Sequence, residues 1–355
     1  MKSLILPPLS DLYGAITRAR VHLYNRGTFR TTRLDRPVIS IGNLTTGGTG
    51  KTPLVEWVAR VLAADGKRVC ILTRGYGRRN PNRRVLVSDS HAVLSNPFDA
   101  GDEPFLLAKN LVGSAAVISD IDRVSAGKGA IEHLKTDCFI LDDGFQHLRL
   151  ARDLDIVTVD ATNPWGGGEL LPFGRLREKP DALKRADCLV ITRSDQVGDV
   201  APLVSEIRTV SGDRPIFISR MAIRRFARLD QDLEAEINGP VAAFCAVGNP
   251  DSFFKLLEQS GCQLVFKKQF ADHHVYSAGD LQSLENDALN AGASVLVTTA
   301  KDAVKLNAKS FTLPSYVMEI ELKIDNDDEL ARMIRLVGTG PGSGLGTTVE
   351  LDKVI

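Results

Sequence analysis

The 355-residue chain is long enough for one large domain or two modest ones, and its 43% hydrophobic and 25% charged residues are typical of a soluble globular protein. Lysine plus arginine and aspartate plus glutamate both number 44, so the overall charge gives no reason to expect nucleic-acid binding. No run approaches the ~18 consecutive apolar residues that a membrane-spanning helix needs.

The five cysteines include no C-x-x-C pair, and most lie inside apolar runs, as Cys70 does. We therefore expect reduced thiols that pack as small hydrophobic residues. The N-terminal stretch 3–9 is short, is interrupted by Pro7 and Pro8 and lacks a cleavage-like site, so a signal peptide is not expected. These features predict a protein that stays inside the cell.

The first 35 residues contain an amphipathic pattern. Between Leu9 and Arg26, apolar residues such as Leu12 and Ile16 recur at spacings of three and four, and several basic residues accompany them. A basic amphipathic helix of this kind either lies in a membrane surface or packs its apolar stripe on the body of the protein. The pattern predicts the helix and leaves both positions open.

From residue 36 to 225, short apolar runs alternate with helix-length amphipathic segments. Such runs are typical of strands buried on both faces of a parallel sheet, and the alternation predicts a doubly wound α/β core with its ligand at the carboxyl ends of the strands. The predicted strands are Val38–Ile41, Val69–Leu72, Ala115–Ile118, Cys138–Leu141, Ile156–Val159 and Cys188–Ile191. The predicted helices are Thr52–Ala64, Glu103–Asn110, Asp122–Leu134 and Asp181–Arg185.

A smaller C-terminal α/β lobe is expected at residues 226–337, with the boundary placed in the stretch 210–240. Its predicted strands are Val241–Val247, Val295–Thr299 and Tyr316–Leu322, and its predicted helices are Ser252–Gln259 and Gly279–Asn290. The remaining segment, 338–355, begins with glycine at every second position, which predicts a flexible tail.

The strand that begins at Val38 leads into a glycine-rich turn, a Gly-Lys-Thr sequence and an amphipathic helix. Glycines let backbone N–H groups curl around phosphate oxygens, and the N-terminus of the following helix adds a favourable dipole. Lys51 is expected to reach the β- and γ-phosphates of ATP, and the Thr52 hydroxyl to bind Mg²⁺. The residues expected to bind the nucleotide are Thr45, Thr46, Gly47, Gly48, Thr49, Gly50, Lys51 and Thr52.

Two adjacent acids, Asp142 and Asp143, follow the predicted strand Cys138–Leu141. In a phosphate-loop protein the acid at the end of the companion strand holds Mg²⁺, directly or through water. A doubled aspartate at this position can also simply cap a turn or a helix. With a phosphate loop in the same chain, we expect these acids to bind the metal.

A second acidic cluster, Asp102 and Glu103, stands before a predicted helix, where acids also complement the helix dipole. Phosphoryl transfer needs an acid that orients or deprotonates the attacking hydroxyl, and few other carboxylates occupy suitable loops. The Asp-His-His sequence that contains His273 has no further His or Cys spaced to complete a metal site. We therefore expect His273 to support the acidic cluster across the cleft between the lobes.

Three arginine-bearing loops follow predicted strands or lie near them. They are Thr73–Arg78, Asp122-Arg123 and Leu176–Glu178, the last of which contains Arg177. Any one of these arginines could simply be a solvated surface side chain. Together, at the predicted ligand edge, they suit an anionic substrate or the charge that develops on a transferring phosphoryl group.

In their order and spacing these motifs resemble those of the tetraacyldisaccharide 4′-kinases, which make lipid IV-A in the lipid A biosynthesis of Gram-negative bacteria. The resemblance extends from about Pro7 to Leu306, and Thr45, unusual at the first position of a phosphate loop, is the residue found in this family. The motifs that carry the resemblance are Ile41–Thr45 with Gly47–Pro53, Thr73–Arg78, Gly101–Pro104, Asp122–Val124, Leu141–His147, Leu176–Glu178, Phe270 with Asp272–His274, and Lys301-Asp302.

The resemblance implies a P-loop NTPase-like fold and transfer of the ATP γ-phosphate to the 4′-hydroxyl of a tetraacyl glucosamine disaccharide 1-phosphate, a lipid A precursor. It further implies that Asp102 is the base, that His273 is its partner and that Arg177 contacts phosphate. It implies a peripheral protein at the cytoplasmic face of the inner membrane, with the N-terminal helix against the bilayer. The residues implied to manage Mg²⁺ are Thr52, Glu103, Asp142 and Asp143.

Two other classes would share the loop and the strand-end acids. In the ATPases that act as nucleotide switches or deliver metals, the variant loop has a lysine just before the paired glycines, where this chain has Thr46. A GTPase would read guanine through Asn/Thr-Lys-x-Asp, whereas Lys301 and Asp302 are adjacent. A P-loop ATPase that acts as a nucleotide switch or in metal delivery is the alternative to a lipid kinase.

Overall fold

The computed structural model describes residues 2–231, 233–306 and 311–339, and in these ranges strands alternate with helices. The strands are β1 (Val38–Asn43), β2 (Val69–Thr73), β3 (Val85–Asp89), β4 (Ala115–Ser119), β5 (Cys138–Asp142), β6 (Leu154–Asp160), β7 (Cys188–Thr192), β8 (Ile216–Arg228), β9 (Val241–Cys245), β10 (Leu264–Gln269), β11 (Val295–Thr299) and β12 (Ser315–Ile324). The α-helices are α1 (Lys2–Asn25), α2 (Lys51–Ala64), α3 (Pro97–Ala100), α4 (Asp102–Asn110), α5 (Arg123–Leu134), α6 (Ala201–Ser211), α7 (Pro250–Gln259), α8 (Ala278–Asn290), α9 (Ala300–Ala303) and α10 (Asp327–Thr339). Short 3₁₀ helices, Pro180–Arg185 and Ser194–Gln196, flank β7.

The strands form one sheet in the order β10-β9-β11-β12-β8-β7-β6-β1-β5-β2-β4-β3. Neighbouring strands are parallel except for the pairs β3–β4 and β8–β12. β1 lies between β5 and β6, with Ile41 beside Asp142 and Gly42 beside Val157. Because parallel strands end at the same edge of a sheet, the loops after β1, β2 and β5 meet there. The predicted mostly parallel sheet is confirmed.

The central strands are mostly apolar because both of their faces are covered. Every residue of β1, β2, β4, β5, β6 and β7 is buried. α2 buries Leu54, Val58 and Leu62, which recur at helical spacing and belong to the core that also contains residues of β1 and β5. This packing holds the N-terminus of α2 near the end of β1, where the ligand is expected.

β8 joins the core strands to β9–β12, and the part of the chain from β9 onward is called the second lobe below. It begins beside β7, where Ile216 pairs with Leu189 in parallel register, and it continues as the antiparallel partner of β12. The predicted boundary between residues 225 and 226 falls inside β8, so the smaller lobe extends the sheet of the core. No strand was predicted in the stretch 210–240. Arginines such as Arg220 and Arg224 interrupt the apolar residues of β8, so those residues do not form a continuous run.

The N-terminal helix begins at Lys2 rather than at Leu9 and therefore includes Pro7 and Pro8. Of the predicted flexible tail, residues 338 and 339 end α10, and the rest lies outside the described residues. Along the described chain, no helix is both long enough and apolar enough to span a bilayer.

α1 rests on the core with one face only. The Ser10 hydroxyl is buried and donates a hydrogen bond to the Leu170 carbonyl at 2.9 Å. On the opposite side, Leu9, Leu12 and Ile16 have 43%, 57% and 59% of their surface exposed. These apolar side chains therefore do not pack on the body of the protein.

Candidate active site

A glycine loop joins β1 to α2. Gly47 and Gly50 have φ angles of 112° and 77°, a left-handed region that glycine enters without the steric cost met by other residues. At the start of α2, within the described chain, no side chain caps the helix. The N–H groups of the first helical turn are therefore available to phosphate oxygens.

Lys51, the first residue of α2, is held by two groups at the end of neighbouring strands. Its Nζ donates a hydrogen bond to Asn43 Oδ1 at 3.0 Å and lies 3.5 Å from Asp143 Oδ1. Asn43 in turn donates from Nδ2 to the Thr45 carbonyl at 2.7 Å. The lysine is thus directed toward the loop, which is the placement that charge neutralisation of a phosphate requires.

The loop that contains Arg177 pairs with the glycine loop through the backbone. The Thr46 N–H donates to the Arg175 carbonyl at 2.8 Å, and the Arg177 N–H donates to the Leu44 carbonyl at 2.7 Å. This pairing brings the Arg177 guanidinium 2.7 Å from Asp143 Oδ2. Lys51 and Arg177 therefore both face Asp143. Along the chain, Arg177 is 126 residues from Lys51 and 34 residues from Asp143.

The two strand-end acids differ in pKa. Burial raises the pKa of Asp142 to about 6, and the nearby carboxylates of Glu103 and Asp143 act in the same direction. Burial also opposes ionisation of Asp143, but Lys51 and Arg177 outweigh it and lower the pKa of Asp143 to about 2. Three carboxylates thus crowd one edge of the sheet, where an added cation would relieve their repulsion.

This crowding fits a divalent cation held by oxygen ligands. Among the described residues, however, no three or more His, Cys, Asp or Glu side chains already stand in a metal-binding arrangement. The assignment of Mg²⁺ to Thr52, Glu103, Asp142 and Asp143 therefore stays a prediction. The chemistry of the donors suits it, because hydroxyl and carboxylate oxygens are the ligands that Mg²⁺ prefers.

Asp102 and His273 meet across the cleft between the lobes. Asp102 is the first residue of α4, and His273 lies on a loop of the second lobe with a φ of 61°. His273 Nδ1 is 3.0 Å from Asp102 Oδ2, so these two residues lie in contact. The ring of Tyr76, from the loop after β2, lies 5.3 Å from the imidazole centroid and covers the pair.

Electrostatics favour charges of opposite sign on this pair. Burial raises the pKa of Asp102, but His273, Lys301 and Lys305 outweigh it, so that the pKa falls below its ordinary value. The hydrogen bond to Asp102 raises the pKa of His273 above its ordinary value against the effects of burial and Lys301. At neutral pH Asp102 is therefore an ionised carboxylate that can accept a proton.

The second lobe also contacts the glycine loop and the acidic cluster directly. A Cβ on Gly248 would lie only 2.8 Å from the Gly48 backbone nitrogen, so this approach requires glycine. Lys301 donates to Glu103 Oε1 at 3.0 Å and to Asp272 Oδ1 at 3.3 Å. A cavity of about 220 Å³ lies between the glycine loop, α4 and the second lobe.

The three arginine loops have different surroundings. Arg177 faces Asp143, as described above, and the buried Arg123 lies 3.1 Å from His147 Nδ1. Arg78 is buried and donates to the Ser119 carbonyl at 2.7 Å, which indicates a structural role for that side chain. Lys305, which lies near Asp102, was not predicted, although the neighbouring Lys301-Asp302 motif offered a signal.

Known proteins resemble this chain over most of its length. A family model described as Tetraacyldisaccharide-1-P 4′-kinase matches residues 2–337. The Tetraacyldisaccharide 4′-kinase of Geobacter sulfurreducens is 43% identical over 317 residues, or 88% of this chain and 87% of that protein. The protein of the same name from Syntrophus aciditrophicus is 38% identical over 336 residues, or 91% and 89%. A crystal structure of LpxK from Aquifex aeolicus in complex with ATP matches with a TM-score of 0.74 and 31% identity, over 93% of this chain and 97% of that one.

Proposed function

Because the chain belongs to the tetraacyldisaccharide-1-P 4′-kinase family, we propose that its glycine loop holds ATP while Asp102 takes the proton of the acceptor. The enzyme is a kinase that phosphorylates the 4′-hydroxyl of a tetraacyl glucosamine disaccharide 1-phosphate in lipid A biosynthesis. ATP, which is bound in the Aquifex aeolicus relative, is the phosphoryl donor. The observation that carries the proposed roles is the 3.0 Å contact between Asp102 and His273, together with a glycine loop that leads into Lys51.

In the proposed reaction Asp102 accepts the proton of the 4′-hydroxyl, and the 4′-oxygen forms a bond to the γ-phosphorus. The bond between that phosphorus and the β–γ bridging oxygen breaks, and ADP leaves with the electron pair. Lys51 and Arg177 balance the negative charge on the phosphoryl oxygens, and His273 orients Asp102 and stabilises its charge. The direct test is ADP release by the purified enzyme, which should depend on the lipid acceptor. Release that instead responds only to a protein partner would favour a nucleotide switch.

We further propose that Thr52, Glu103, Asp142 and Asp143 hold Mg²⁺, which would neutralise charge on the β- and γ-phosphates. Asp142→Asn should raise the Mg²⁺ concentration needed for half-maximal activity by about tenfold or more, because loss of a carboxylate weakens the site. Titration of activity with MgCl₂ measures the effect, with Asp153→Asn, a substitution away from the cleft, as the control. An unchanged Mg²⁺ requirement would exclude Asp142 from the site.

The exposed apolar face of α1 supports a proposal that the enzyme binds the cytoplasmic face of the inner membrane peripherally. The acceptor carries four acyl chains, and transferring a chain to water costs ~0.8 kcal/mol for each methylene. The kinase must therefore reach its substrate at the bilayer. Leu9, Leu12 and Ile16 are exposed on α1, and Arg18 and Arg20 on the same helix can meet anionic head groups.

Deleting residues 1–26, or replacing Leu12 and Ile16 with glutamate, should reduce co-sedimentation with anionic phospholipid vesicles and raise the apparent KM for bilayer-presented acceptor. Activity on detergent-solubilised acceptor should change much less. Leu289→Glu is the matched control, because Leu289 is 49% exposed on α8 of the second lobe. Equal pelleting of all forms at low and high salt would place the membrane contact elsewhere.

A further inference from the structure

Lys305 lies just beyond α9 of the second lobe, and its side chain is only 8% exposed. Its Nζ is 3.1 Å from Asp302 Oδ1 and donates to the His274 carbonyl at 3.1 Å. The same nitrogen lies 3.7 Å from Asp102 Oδ2. Within the described chain, Nζ has hydrogen-bond geometry toward the His274 carbonyl, whereas Asp302 Oδ1 has no hydrogen-bond partner, so Lys305 acts on Asp302 and on Asp102 through charge.

The contacts of Asp102 are unevenly distributed between its two oxygens. His273 Nδ1 and Lys305 Nζ both approach Oδ2, at 3.0 and 3.7 Å. Among the described residues, no basic side chain approaches Oδ1 as closely. Gly77, in the loop after β2, lies near that oxygen: a Cβ built on it would be 4.0 Å from Oδ1, and its φ of 76° favours glycine. Two cationic or donating groups on one oxygen favour a single rotation of the carboxylate.

We propose that Lys305 is a positioning residue that, together with His273, holds Asp102 Oδ2 so that Oδ1 faces the acceptor hydroxyl. This inference rests on the proposed role of Asp102 as the base. Lys305 does not contact the reacting atoms, and it acts by fixing the orientation of the carboxylate that does. Errors of about 1 Å in such a placement lower rates by about 10²-fold, so a modest change in the rotation of Asp102 has a measurable effect.

A purely structural role must be distinguished, because Lys305 also pairs with Asp302, which is completely buried. Removing one partner of a buried ion pair leaves an uncompensated charge and destabilises the fold. The neutral variant Lys305→Met is therefore made both alone and together with Asp302→Asn. Asp302 also accepts hydrogen bonds from the Ala246 N–H and the Thr299 hydroxyl, which an asparagine oxygen can keep.

The test is a double-mutant cycle on the full-length enzyme with Asp102→Asn. In the wild-type and Asp302→Asn backgrounds, Lys305→Met should lower kcat by roughly 10- to 100-fold and leave the KM for ATP within about twofold. In the Asp102→Asn background the same substitution should change the residual kcat by less than about twofold, because there is no longer a base to orient. Lys267→Met, which removes an exposed lysine paired with Glu258 on the same lobe, is the matched control and should resemble the wild type.

An unchanged kcat in Lys305→Met, or an equal loss in the Asp102→Asn background, would overturn the inference. The second result would mean that Lys305 supports the fold and not the base. If Asp102 is not the base, Asp102→Asn alone should turn over at nearly the wild-type rate. Failure of the proposed function is therefore distinguishable from failure of the inference about Lys305. Thermal unfolding of each variant shows which losses accompany destabilisation.

Discussion

Lys51→Ala should lower turnover by at least ~10²-fold, and Thr52→Ala should do the same. Phosphoryl transfer relies on positioning and on neutralising the charge of the phosphates, and Lys51 is already directed to the glycine loop by Asn43 and Asp143. The fold should tolerate the change, because Asp143 keeps its ion pair with Arg177. Steady-state kinetics with purified protein and detergent-solubilised acceptor measure the effect.

Lys128→Ala, a substitution of an exposed lysine on α5, is the control for Lys51→Ala and should leave turnover unchanged. Thermal unfolding of both variants separates loss of catalysis from loss of structure. Near-normal turnover of Lys51→Ala would refute the assignment of the glycine loop to the triphosphate.

Asp102→Ala should lower turnover by about 10²- to 10⁴-fold, the range typical of a general base, while ATP affinity stays nearly constant. His273→Ala should also lower turnover, because the histidine stabilises and orients Asp102 through their 3.0 Å contact. The double variant should lose far less than the product of the two single losses, since the residues act as one unit. Turnover and ATP binding by calorimetry, measured for all three variants, complete the cycle.

His274→Ala is the matched control for His273→Ala. His274 is the next residue along the chain, but its Nε2 is 3.1 Å from Asp280 within the second lobe and does not contact Asp102. Its replacement should have the smaller effect on turnover. Fully multiplicative losses for Asp102 and His273 would show that the two side chains do not cooperate.

Much of the core could be predicted from local pattern. Apolar runs such as Cys138–Leu141 correspond to strands that are buried on both faces. The strand formed by this run, β5, is one residue longer than predicted and ends at Asp142. Elements with mixed burial escaped prediction: the edge strands β3 and β10 and the strand β8 are only partly buried, so their apolar residues do not form runs. The C-terminal helix α10 was missed as well, although its residues have a strong amphipathic pattern.

The sequence by itself determined the glycine loop, the acids that follow β5 and the identity of the family, because these depend on short motifs whose chemistry is local. Only the tertiary structure decided which charges meet. Asp102 and His273 are 171 residues apart, and Lys301 and Glu103 are 198 apart. Their contacts exist because β8 continues the core sheet into the second lobe and thereby turns the loops of that lobe over the carboxyl ends of the core strands. No spacing along the chain encodes that approach, since it results from strand order and packing between residues distant in sequence.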